Sequence, residues 1–158
     1  MNFPLAKNWT EDSFNELFQQ QHMTVVLEDQ SSIQADFYFL IDKTFDMKQS
    51  MAIGFILSEN TFLPYLSIRD NLFVGSSIKE KDKKQLLNTL FDYVTLDSSV
   101  LIKSEDALTT FEQIKLQLVQ LLLIDKDIII IDDIFQKLSI AQRQELLPFC
   151  LLYTSRCV

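Results

Sequence analysis

Apolar and polar positions along the chain alternate between short β-like runs and longer stretches of helical spacing. Thr10 precedes Glu11 and Asp12 and can cap a helix, in which Phe14, Leu17 and Phe18 share one face. Residues 23–27 and 37–41 read as short strands, the second aromatic and β-branched, with polar connections at 28–32 and 42–50. A third strand is expected at 52–57. The stretch 58–77 is irregular, with Pro64 and Gly75 as breakers. Within it, Ser67 can cap a short helix reaching Phe73, with Asp70 in its first turn.

The second half is more regular. Leu86, Leu87, Leu90, Phe91 and Val94 form an apolar stripe that predicts a helix over 83–94, preceded by a solvated charged turn at 79–84. Residues 97–110 are mixed. Phe111, Ile114, Leu118, Leu121 and Leu122 fall on one face and predict a helix over 111–124. The run of isoleucines at Ile128–Ile131 is typical of a strand buried on both faces, as in a parallel sheet. Ser139 can cap a last helix over 140–152. Helix, buried strand and helix in succession predict an α/β domain.

Composition narrows the function classes. A length of 158 residues suits one domain, and a hydrophobic fraction of 47% supports a core. A net charge of -8 opposes nucleic-acid backbones and anionic lipid, while leaving a protein dock open. No apolar run is long enough to span a bilayer, and residues 1–10 lack a signal-peptide pattern, so a cytoplasmic protein is expected. Cys150 and Cys157 could form one disulfide, but free, inert thiols are expected. With His22 as the one histidine, a histidine-rich metal site is excluded. The two glycines, Gly54 and Gly75, do not begin a GxxxxGK(S/T) phosphate loop, whose glycines let backbone N–H groups turn around phosphate.

From Ile53 onward the order of motifs resembles the ATP-binding domain of ABC transporters. IGFILSENTFLPYLSIRDNL (53–72) is similar to the family's Q-loop region, with Ser58 at the glutamine position and Glu59, Leu63, Pro64, Ser67, Ile68, Asn71 and Leu72 keeping the pattern. LTTFEQIK (108–115) looks like the signature motif LSGGQ or LSGGEQQR: Leu108, Glu112 and Gln113 fit, Thr109 stands for serine, and Thr110 and Phe111 replace the glycines. LLLIDKDIIIIDD (121–133) is similar to LLLDPDILLLDEP, with Asp132 at the Walker B aspartate and Asp133 in place of the glutamate that orients water. Ser139 stands where the D-loop aspartate would follow Leu138, and the switch histidine has no counterpart.

The resemblance implies an α/β fold: a reduced P-loop NTPase or ABC ATPase-like sheet flanked by helices, with a small amino-terminal strand region. It implies a single degenerate ABC ATP-binding-like domain over 1–158, with a helical subdomain leading to the signature motif. It also implies a vestigial site. Phenylalanine at 111 would block the approach to γ-phosphate that glycine permits. A carboxylate shortened by one methylene at Asp133 would displace the attacking water, and ~1 Å of misplacement costs roughly 10²-fold in rate. No enzyme activity, cofactor or metal is therefore expected. Each site also has a plainer reading: Asp132 and Asp133 as the end of a strand and a turn cap, Phe111 as core.

In the family, the region after the Q-loop lines the groove that receives a coupling helix from the membrane subunit. This makes Glu59, Phe62, Leu63, Pro64, Tyr65 and Leu66 candidates for partner docking by helix-in-groove contact, against an internally packed loop. The expected function is a non-catalytic accessory or regulatory partner of an ABC transporter membrane or ATPase subunit, or a homodimer whose second copy covers exposed sheet edges. The alternatives are a residual nucleotide-binding subunit that needs an intact ATPase partner, and an unrelated self-associating small α/β protein.

Overall fold

Side-chain caps mark where three of the helices begin, and apolar spacing marks residues that they bury. The computed structural model describes residues 53–57, 61–124, 126, 128–131 and 134–154, with the backbone alone at Ile53, Ile128, Ile130 and 150–154. The expected helix at Thr10, the strands at 23–27 and 37–41, His22, Ser58, Glu59, Asp132, Asp133 and Cys157 lie outside the described residues. Two compact units make up the chain: 52–145, and 1–51 together with 146–158.

Strand β1 (Ile53–Ile56) is followed by helices α1 (Ile68–Phe73) and α2 (Glu80–Tyr93). Two 3-10 turns at Ser98–Ile102 and Glu105–Ala107 lead into α3 (Thr110–Ile124), and then come β2 (Ile128–Ile131) and α4 (Ile140–Thr154). The strands pair in parallel, Ile53 opposite Ile128 through Ile56 opposite Ile131. A parallel pair needs a crossover, and here the whole helical segment supplies it.

The expected α/β sheet is corrected. The described residues are mostly helical, and strand is confined to two segments of four residues, each paired with the other. The isoleucine run predicts a strand correctly but overstates its surroundings, since Ile129 and Ile131 are half-buried rather than enclosed on both faces. The helices pack on one another, α1 against α3, and α3 also packs against β1. The centre of that packing is α3. From Ile114 to Val119 every residue is buried, and Leu121 and Leu123 follow, so the expected one-sided stripe is replaced by burial on all sides. Leu72 and Phe73 of α1, Leu87 and Phe91 of α2, and Val94, Val100 and Leu108 are among the other residues of this unit's interior.

Gly54 fixes how closely β1 approaches α3, because a Cβ built there would fall on the Leu121 side chain. Gly75 serves a different need. It turns the chain out of α1 at φ 77°, with open space around it.

The end of α2 is a Schellman motif built without glycine: the Leu96 N–H donates to Phe91 O at 2.8 Å and the Thr95 N–H to Asp92 O at 3.2 Å. Thr95 takes the left-handed conformation, φ 54°. For a β-branched residue this costs of order 1–2 kcal/mol. Residues 79–84, read from sequence as a solvated turn, contribute the first turn of α2 from Glu80 onward. Glu80 bridges Arg69 of α1 at 2.6 Å and Lys83 at 2.8 Å. Hydrogen bonds from Lys83 and Arg69 lower its carboxyl to about 2.

Candidate docking site

The loop between β1 and α1 is organised by buried polar side chains. As β1 ends, the Leu57 N–H donates to Gln117 Oε1 at 2.8 Å and Leu57 O accepts from Gln117 Nε2 at 2.9 Å. The Gln117 amide thus replaces a neighbouring strand at the point where pairing stops, and it is itself buried. Satisfying both backbone groups matters, since an orphaned buried donor or acceptor costs roughly 1–3 kcal/mol.

Asn71, buried on α1, holds the next stretch. Its Oδ1 accepts from the Leu63 N–H at 2.7 Å. Its Nδ2 donates to Leu63 O at 3.1 Å, Leu66 O at 3.3 Å and Ser67 O at 3.1 Å. The Asn71 carbonyl in turn accepts from Gln120 Nε2 of α3 at 2.9 Å, tying the loop's organiser to the most buried helix. The Leu66 N–H donates to Leu63 O at 3.1 Å, closing a turn with Pro64 in its second position, where the fixed proline φ suits the geometry. Ser67 closes the loop by capping α1, its hydroxyl accepting from the Asp70 N–H at 3.0 Å.

This framework divides the docking candidates. Phe62 is 6% exposed and belongs to the interior, and Leu66 is half-buried. Leu63 and Pro64 are exposed, and Tyr65 at the tip is 77% exposed. The result is a short, backbone-restrained projection carrying an aromatic ring. Such a group makes large contact area at low entropic cost, and tyrosine is enriched at binding hot spots.

The segment resembling the signature motif serves a local role. Leu108 is buried. Thr109 and Glu112 form a capping box: the Glu112 N–H donates to Thr109 Oγ1 at 3.2 Å and the Thr109 N–H donates to Glu112 Oε2 at 2.8 Å. Lys103 pairs with the other carboxylate oxygen of Glu112 at 2.7 Å. Partial burial pushes the Glu112 carboxyl up, but the bonds from Lys103 and from the Thr109 N–H and hydroxyl outweigh it, and the net direction is down. Gln113 is half-buried, its N–H donating to Thr109 O at 3.0 Å in the first helical bond. Phe111 is half-buried, with the Lys115 ammonium 4.5 Å from its ring centre.

Sequence reasoning noted Asn71 only as part of a pattern and missed Lys115, Gln117 and Gln120. Their signal was available: polar residues on the strongly apolar helix α3, at positions its neighbours enclose. No group of three or more potential metal ligands occurs among the described residues. No described helix is long and apolar enough to cross a membrane. Compared with known proteins, the chain matches no family model and no curated protein.

Proposed function

We propose that this chain is a non-catalytic, cytoplasmic docking protein, and that its partner is the membrane subunit of an ABC transporter. The exposed turn at Leu63, Pro64 and Tyr65 packs its aromatic tip against an amphipathic helix of that subunit. The observation that carries this reading is the Asn71-held loop, which spends a buried side chain on displaying an exposed aromatic. Two further features support it. A helical segment lies between the two paired strands and ends in a helix that begins within the signature-like residues. Thr109 and Glu112 of that motif are occupied by helix capping and by Lys103, rather than being left open toward a nucleotide.

Co-purification of an ABC transporter membrane subunit with the tagged full chain tests the proposal. Capture is expected with the parent chain and is expected to fall at least tenfold with Tyr65→Ala, while Val74→Ala, another exposed apolar site, leaves it unchanged. Capture indifferent to Tyr65 would sink the docking surface. Saturable micromolar binding of Mg-ATP in isothermal titration would sink the non-catalytic reading.

A further inference from the structure

The first half of α4 is held to its unit in an unusual way. Leu138 is buried just before the helix, but the residues that follow are largely exposed: Ile140 is 74% exposed, and Ala141, Arg143, Gln144 and Glu145 are exposed too. The segment supplies its own helix start. The Ser139 N–H donates to Gln142 Oε1 at 2.9 Å and the Gln142 N–H to Ser139 Oγ at 3.3 Å, a complete capping box. Arg143 Nε bonds back to Leu138 O at 3.0 Å. Among the described residues, one bond joins 139–145 to another element: Glu145 to Lys115 of α3.

Buried Leu138 and Leu146 flank the segment, and Lys115 supplies the polar attachment between them. Its side chain is 4% exposed while Glu145 is 39% exposed. An ammonium has three N–H donors and no acceptor. One goes to Glu145, one to Thr95 O at 2.8 Å, and the charge lies over the Phe111 ring. The Thr95 carbonyl belongs to the residue held in the left-handed conformation. Phe111 stands where sequence comparison placed a lost glycine, and here its ring face meets a cation.

We propose that residues 139–145 form a strap between the buried Leu138 and Leu146, closed on α3 by the Lys115–Glu145 pair and able to unwind locally when that pair is broken. The accessible carboxylate is the point at which the strap opens. The buried ammonium is what makes closure favourable, because a buried charge left without its partner is strongly destabilising, whereas replacing both partners by neutral groups is not. The strap adds a moving part to the molecule and does not depend on the docking role of the 63–66 turn.

Hydrogen exchange by mass spectrometry on the full chain tests it, using Glu145→Gln, Lys115→Met and the double variant. In Glu145→Gln, protection across 139–145 is expected to fall roughly 10- to 100-fold while that of 114–121 in α3 is kept. The double variant is expected to recover part of the loss. Unchanged protection over 139–145, or an equal loss across 139–145 and 114–121, would overturn the strap. If Glu145→Gln does not fold, Glu145→Asp withdraws the carboxylate by one methylene, and the same two patterns decide.

Discussion

Helices α3 and α4 match in length and in how they start, and differ in their surroundings. Each is fifteen residues long and each opens with a reciprocal capping box, Thr109 with Glu112 and Ser139 with Gln142. Yet α3 is buried on all sides through its middle, while the first half of α4 faces solvent. Helix formation is therefore set locally in both, but what each helix does for the molecule is set by contacts far away in sequence. The polar residues make the same point. On α3, Lys115, Gln117 and Gln120 reach out to Thr95, Leu57 and Asn71, which lie 20, 60 and 49 positions away. On α4, Ser139, Gln142 and Arg143 bond locally, and Glu145 is the residue that reaches far, to Lys115 30 positions away.

The strongest way to break this contrast is a pair of truncations. Leu116→Ala in α3 should cost about 2–5 kcal/mol, as expected for a fully buried leucine, whereas Ile140→Ala in α4 should stay within about 0.5 kcal/mol. Urea unfolding of both variants measures the difference, and similar costs would refute the view that the two helices differ in burial. Next in size, Gln117→Ala leaves the Leu57 N–H and carbonyl without their partner and should cost about 1–3 kcal/mol, whereas Gln144→Ala, exposed on α4, should be near neutral. The same unfolding curves report it.

The caps sharpen the comparison from the other side. Thr109→Ala and Ser139→Ala should each cost about 1 kcal/mol, because a cap acts on its own first turn. A much larger cost at Thr109 would mean that the cap also supports the Lys103 pair. The smallest effect expected is on pH. The carboxyls of Glu80 and Glu112 are both lowered on folding, Glu80 to about 2. A lowered carboxylate contributes stability that is full above its unfolded value, near 4.5, and is lost as pH falls toward its folded one. Thermal melts between pH 5 and about pH 2 should thus show stability declining on acidification, with the decline reduced in Glu80→Gln.

Apolar spacing and cap residues make much of the helical framework legible in sequence. Ser67 and Ser139 start helices where expected, the strand at 128–131 is in place, and the helix of 111–124 is found one residue longer. Spacing reports that a face is apolar, but not what covers it. For that reason the isoleucine run suggested a strand buried on both faces, and α3 was read as one-sided. The candidate site divides in the same way. Proline and tyrosine at 64 and 65 announce a turn with an aromatic tip, but that Phe62 turns inward depends on packing, and that the turn is pinned depends on Asn71, eight positions after Leu63. The signature-like residues show the limit of motif reading, because Thr109 and Glu112 at this spacing also satisfy a helix cap.

The two glycines should behave as opposites in a library of all single substitutions. At Gly54 the constraint is volume, so tolerance should fall with side-chain size, and alanine should be the best of a poor set. At Gly75 the space is open and the constraint is handedness. Asparagine and aspartate should survive there better than alanine, and valine and isoleucine should be the most depleted. One position thus selects by size and the other by chirality, and the rank order of survivors at each would tell the two constraints apart without any further structure.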